Sequence, residues 1–136
     1  MNQITFSRKH NLAKKQIKNL YEDAGWENYT REKEKLRRAI LQSQYVLTAW
    51  DQDKLVGLVR TVGDNETIVF IQDLLVLSSY QNQGIGERLL KSVLGHYQKA
   101  DKILLLADED SKLRAFYTKC GMTDIRDKDL MSFIRL

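Results

Sequence analysis

The chain has no proline, one cysteine (Cys120) and two histidines in 136 residues. A single thiol excludes an internal disulfide, and two separated imidazoles argue against a zinc site. No apolar run approaches the ~20 residues that cross a bilayer. The opening Met1-Asn2-Gln3-Ile4-Thr5-Phe6 lacks the charged-then-apolar architecture of a signal segment. The expectation is a cytoplasmic protein with no metal and no membrane contact. Repeats, low-complexity tracts and linkers are also missing, so residues 1–136 read as one domain with a single core. Without proline, the turns must be marked by glycine, asparagine and aspartate.

What is present describes a soluble globular protein, with 43% hydrophobic and 29% charged residues. The net charge of +4 fits a solubilising surface or an anionic ligand. Nucleic acid is the weaker candidate for that ligand. The longest basic cluster, Arg31 to Arg38, is interleaved with Glu32 and Glu34, the pattern of a solvated helix face.

The periodicity predicts a first strand over Gln3 to Ser7, then a helix capped by Asn11 that runs to Ala24 and stops at Gly25. Leu12, Ile17, Leu20, Tyr21 and Ala24 lie on its inner side. Thr30 offers a cap for a second helix to Gln42, with Leu36, Ile40 and Leu41 inward. Tyr45 to Trp50, Lys54 to Val62 and Thr67 to Leu77 read as three strands of an antiparallel meander. Gly84 to Gln98 is helical, and Ile103 to Ala107 is a short apolar strand of the kind buried on both faces. Ser111 caps a helix through Lys119, Gly121 follows it, and a last strand covers Leu130 to Leu136. This is a mixed α/β pattern. The helical crossover makes the long strand and Ile103 to Ala107 parallel neighbours in a mixed sheet with helices on both faces.

The most informative stretch is Leu74-Leu75-Val76-Leu77-Ser78-Ser79-Tyr80-Gln81-Asn82-Gln83-Gly84-Ile85-Gly86-Glu87-Arg88. An apolar strand runs into a polar turn and two glycines open an amphipathic helix, a seat where backbone N–H groups and a helix dipole meet a phosphate. It is not a dinucleotide fingerprint, because Leu89 stands where the third glycine belongs. Nor is it a P-loop, because Gly86 is followed by Glu87 and Arg88.

Gln81-x-x-Gly84-x-Gly86 after a long strand resembles motif A of the GNAT-family N-acetyltransferases. Arg114-Ala115-Phe116-Tyr117-Thr118-Lys119-Cys120-Gly121-Met122 resembles that family's Phe-Tyr-x-x-x-Gly-Phe segment. The two motifs and the element order cover residues 45 to 136. Ile71-Gln72-Asp73-Leu74-Leu75-Val76 with Tyr80-Gln81 is most similar to small bacterial members and to the plant serotonin N-acetyltransferases.

The resemblance implies one mixed, mostly antiparallel sheet whose fourth and fifth strands splay, with acetyl-CoA laid in the splay as co-substrate. Leu75, Val76 and Leu77 are then expected to meet its pantetheine arm through their backbone. Gln81, Asn82, Gln83, Gly84, Ile85, Gly86 and Glu87 cradle the pyrophosphate. Arg88, Lys91 and Lys119 are either phosphate contacts or exposed helix cations. Acetyl passes directly to a primary amine, which must be neutral to attack. Asp73, a carboxylate in an apolar strand, is either the general base or part of an ion pair in the sheet. Tyr117 matches the tyrosine that protonates the departing thiolate. Tyr80 touches the amine or packs, and Cys120 is a small buried residue. Ser78-Ser79 stands where the family has proline, Asp110 where it has a pantetheine-binding asparagine, and Met122 where it has phenylalanine. Trp26, Glu27 and Tyr29 suit an amine with an apolar or aromatic body. Small amines, protein lysines or amino termini, and a non-catalytic acetyl-CoA sensor all stay open, as does a homodimer through the late strands.

Overall fold

A computed structural model of the chain describes residues 3–26 and 32–136. The polypeptide forms two compact units, one ending at Leu106 and one starting at Ala107. The first contains β1 (Ile4–Ser7), α1 (Lys14–Asp23), α2 (Lys33–Gln42), β2 (Tyr45–Asp51), β3 (Lys54–Gly63), β4 (Ile68–Val76), a 3-10 turn (Ser78–Tyr80), α3 (Ile85–His96) and β5 (Lys102–Leu105). The five strands lie in sequence order; β1 to β4 are antiparallel neighbours and β5 runs parallel to β4. The meander and the parallel crossover are as the sequence predicts.

α1 forms because Ile17, Leu20 and Tyr21 recur at helical spacing, and all three are buried. It begins later than Asn11, whose side chain instead accepts from Arg37 Nη2 at 2.8 Å. It ends as predicted: Gly25 adopts φ +77°, Gly25 N–H donates to Glu22 O and Trp26 N–H to Tyr21 O. That pair of bonds is a Schellman closure, which needs the left-handed residue. In α2, Leu36 and Ile40 are buried, whereas Leu41 is 40% exposed rather than inward. The Thr30 cap lies outside the described residues.

The sheet carries helices on both faces. A Cβ built on Gly57 of β3 stands 3.2–3.3 Å from Leu89 and Ile85 of α3, so a small residue lets α3 approach that face. On the opposite face, the Tyr21 hydroxyl of α1 reaches Asp73 of β4. β3 is covered on both sides, and Leu55 to Thr61 are all buried. Ile103, Leu104 and Leu105 of β5, expected to be buried on both faces, are only half-buried because β5 is the sheet's edge.

Thr61 is fully buried and its hydroxyl has no hydrogen-bond partner. A desolvated, unbonded hydroxyl costs about 1–3 kcal/mol. Thr61→Val keeps the shape and removes the cost. Chemical denaturation should show a gain of ~1 kcal/mol.

The second unit contains α4 (Ser111–Lys119) and a 3-10 turn (Ile125–Lys128). The cap of α4 is Asp110, not Ser111: Asp110 Oδ1 accepts from the N–H groups of Lys112 (2.7 Å) and Leu113 (3.3 Å). Its end repeats the α1 closure, with Gly121 at φ +98°, Gly121 N–H on Thr118 O and Met122 N–H on Tyr117 O. Arg114 pairs with Asp124 and Asp127. The last strand expected over Leu130 to Leu136 is not formed. These residues have no ladder partner among the described residues, and Phe133 is 87% exposed.

Candidate active site

The two edges of β4 have different fates. Against β3 it is paired as far as Val76, opposite Gly57. Against β5 it is paired only from Ile68 to Ile71, so Gln72 to Val76 run on past β5. Leu77 N–H donates to Val56 O at 2.8 Å, toward β3. Backbone groups alternate in direction along an extended chain, so those of Val76 face the edge that β5 leaves. An open edge of this kind is where an extended amide-bearing chain adds like a strand.

The chain leaves that edge through the 3-10 turn, which is anchored from two directions. Asp23, the last residue of α1, accepts from Ser78 N–H and Ser78 Oγ, both at 2.8 Å. Asp51 of β2 accepts from the Tyr80 hydroxyl at 2.5 Å, and this bond raises the Tyr80 pKa above its ordinary value. Lys54 lies over the Tyr80 ring. Tyr80 is therefore a fixed part of the turn. Neither anchoring carboxylate was legible in the sequence, because each bond joins residues 29 to 55 positions apart.

Two left-handed residues then turn the chain into α3: Asn82 at φ +63° and Gly84 at φ +82°. Gly84 is the N-cap, and it offers no side chain to cap the helix. The first α3 bond in the series runs from Arg88 N–H to Gly84 O, leaving the N–H groups of Ile85 and Gly86 without an i→i−4 partner. A Cβ built on Gly84 meets nothing within 4 Å, so the concavity is open. Such a turn, with a helix dipole behind it, suits a diphosphate. Ile85 is buried and holds the turn to the sheet. Glu87, an acidic residue facing this end, is offset by Lys91 at 3.0 Å. Arg88 lies 4.2 Å from the Phe6 ring centroid.

Asp73 lies in an ion pair within the sheet. It is 2% exposed, and its Oδ2 accepts from Arg60 Nε at 2.5 Å and from the Tyr21 hydroxyl at 2.8 Å. Arg60 is itself buried and reaches Ser43 Oγ at 3.3 Å. Burial and the Asp73 charge hold the Tyr21 pKa well above its ordinary value. A carboxylate enclosed by these donors orders a core; it is poorly placed to collect a proton from an incoming amine. Arg60 is the residue that sequence reading missed, and its one signal was a lone cation inside an apolar strand.

In the second unit, Tyr117 is half-buried with its ring edge-on to Phe116. Burial, with a smaller contribution from Cys120, raises its hydroxyl above the usual tyrosine value, so it keeps its proton at neutral pH. Cys120 is buried, as the sequence suggests. Asp110, which stands where the family has a pantetheine-binding asparagine, caps α4. Glu27, Asn28 and Tyr29 lie outside the described residues, while Trp26 packs edge-on against Tyr21. Among the described residues, no helix is long and apolar enough to cross a membrane.

Comparison with known proteins agrees with this geometry. The model of the acetyltransferase (GNAT) domain matches residues 9–135. A GNAT-family acetyltransferase structure from Streptococcus pneumoniae TIGR4 is 36% identical, covers 98% of each chain and superposes with a TM-score of 0.88. An aminoglycoside N-acetyltransferase solved in complex with CoA shares the fold, with a TM-score of 0.76 over 100% of this chain and 96% of that one at 14% identity. A protein of Gibberella zeae named as an acetyltransferase is 28% identical over 96 residues, 68% of this chain, and the chain spans only 51% of its length. With the family model covering nearly every residue and the mixed sheet, the glycine turn and the helix start all in the expected order, the chain belongs to the GNAT acetyltransferases and is an acyltransferase.

Proposed function

We propose that the protein transfers acetyl from acetyl-CoA to the primary amine of a small molecule by direct attack in a ternary complex. The observation that carries this reading is the end of the β4–β5 ladder at Ile71, which leaves Leu75, Val76 and Leu77 beside an uncapped helix start. The backbone groups of Val76, set between Leu75 and Leu77 whose own groups face β3, would take the pantetheine arm, and those of Gln81, Asn82, Gln83, Gly84, Ile85, Gly86 and Glu87 the diphosphate. When bound, the coenzyme supplies an activated thioester.

The chain's own residues orient that thioester and handle one proton. Tyr117 holds a proton through the neutral range and would deliver it to the departing sulfur. Its support is the match of Phe116-Tyr117-x-x-x-Gly121 to the family segment. Asp73, through Arg60 and Tyr21, would set the shape of β4, and the proton shed by the amine would pass to solvent. The amine class rests on Trp26, which follows α1 and packs edge-on against Tyr21.

An acetyl-CoA assay over a library of arylalkylamines, polyamines and amino sugars tests the reading. Amine-dependent thiol release is the expected result. Coenzyme binding with no release by any amine would make the protein a sensor, and release only with peptide lysines or amino termini would make it a protein acetyltransferase.

Asp23 gives a sharper test. A carboxylate at a helix C-terminus is unfavourable by ~0.3–1 kcal/mol, comparable with the net gain from its bonds to Ser78. Asp23→Ala should therefore leave the melting temperature nearly unchanged while loosening the turn. The expected result is a KM for acetyl-CoA raised severalfold with kcat little altered. An unchanged KM would separate the turn from coenzyme binding.

A further inference from the structure

The Val76 carbonyl has a partner. Gln81, the first residue of the glycine motif, donates its side-chain Nε2–H to Val76 O at 3.1 Å. Backbone alternation from the Leu77–Val56 bond places that oxygen on the edge of β4 which β5 leaves. A carbonyl on an open, half-buried edge still needs a donor. Water serves where it has access, and a side-chain amide imitates what a neighbouring strand would have supplied. Gln81 itself is exposed and starts in extended backbone just past the 3-10 turn, so no packing fixes its side chain.

We propose that Gln81 is a stand-in ligand: its side-chain amide occupies the hydrogen-bonding position at Val76 O, and an amide N–H of the bound pantetheine arm replaces it. This deepens the function proposed above and rests on it. The exchange trades one amide donor for another at the same oxygen, so the edge always has a partner and little is lost when the arm arrives. It also sets a selectivity. A ligand that carries an N–H donor at this depth recovers the displaced bond, whereas one with an ether or ester there leaves Val76 O without it. Once released, the Gln81 side chain is free to turn outward, while its backbone stays in the cradle.

The test compares two ligands and one variant. Coenzyme A carries the arm; adenosine 3′,5′-diphosphate carries phosphates and no arm. Calorimetric titration of the wild type and of Gln81→Ala with each gives four dissociation constants. Removing the stand-in should tighten coenzyme A relative to the diphosphate by about two- to fivefold, the effect of one modest hydrogen bond. The side-chain amide resonances of Gln81 should move to solvent-like positions when the wild type is saturated with coenzyme A, and should stay in place with the diphosphate. Equal weakening of both ligands by Gln81→Ala, or an unmoved Gln81 amide at saturation, would overturn the proposal while leaving coenzyme binding intact. Failure of the wild type to bind coenzyme A at all would remove the acetyl-transfer reading and this inference with it.

Discussion

Asp73→Asn is expected to cost about 3–5 kcal/mol of folding stability, a large part of the ~5–15 kcal/mol that a domain possesses. The reason is what it leaves behind. Arg60 is 5% exposed, its Nε is held by Asp73 Oδ2, and no other carboxylate is bonded to it among the described residues. An amide can accept from Arg60 but cannot neutralise it, so a buried cation remains. Tyr21 also loses its anionic acceptor. The paired replacement Asp73→Asn with Arg60→Met removes the stranded charge and should recover most of the loss, because buried ion pairs are often no more stable than apolar residues of similar volume. Urea denaturation of the two single variants and the double variant measures this coupling directly. If the double variant is as unstable as the sum of the singles, the pair does not act as a unit.

The same network gives a pH dependence. The folded-state pKa of Tyr21 is raised by burial, then by the charge of Asp73. The neutral hydroxyl is thus favoured in the folded protein, and this contribution is complete below the unfolded tyrosine value near ~10. Above that value the unfolded chain releases the proton and the folded chain does not, so stability falls as pH rises further. Tyr21→Phe should flatten the alkaline limb of the melting curve while leaving the neutral region lower by the lost bond. A pH–rate profile for Asp73→Asn, measured on whatever fraction stays folded, should keep the wild-type midpoint. A shift toward higher pH would return Asp73 to the role of base.

Tyr117→Phe carries the largest expected effect on activity. Proton transfer by a positioned acid contributes typically 10²–10⁴-fold, so kcat should fall by about 10²-fold or more. Phenylalanine keeps the ring that packs on Phe116 at 5.1 Å, so folding and coenzyme affinity should change little. The raised hydroxyl pKa means the wild-type enzyme should show no loss of activity from this group anywhere below pH ~10. Stopped thiol-release assays with calorimetry on the same samples distinguish the outcomes. A fall in coenzyme affinity with kcat preserved would make Tyr117 a binding residue.

Much of this molecule is local, and local structure is what a sequence states most directly. Gly25 and Gly121 close two helices by the same pair of bonds to carbonyls three and five residues back, all encoded within one turn. Strand, polar turn, Gly84 and Gly86 follow one another without a break, so the proposed coenzyme cradle is contiguous in the chain. The buried stripes of α1 and α3 follow from apolar residues at helical spacing. Capping was less legible: Asn11 and Ser111 are good cap residues by type, but Arg37 claims the first and the neighbouring Asp110 displaces the second.

What only the tertiary structure decided is which long-range partner each polar group receives. Arg60 pairs with Asp73 and Thr61 with Ile71, so a bulge at Gln72 puts Ile71 and Asp73 on opposite faces although they are two residues apart. Simple alternation along β4 misplaces one or the other, and no letter in the strand announces the extra residue. The bulge points Asp73 at Tyr21, 52 positions away, and so sets it among buried donors. The sequence determined the glycine turn because that turn is built from consecutive backbone; the tertiary structure determined the buried charges because a charge takes its meaning from whatever folding brings against it.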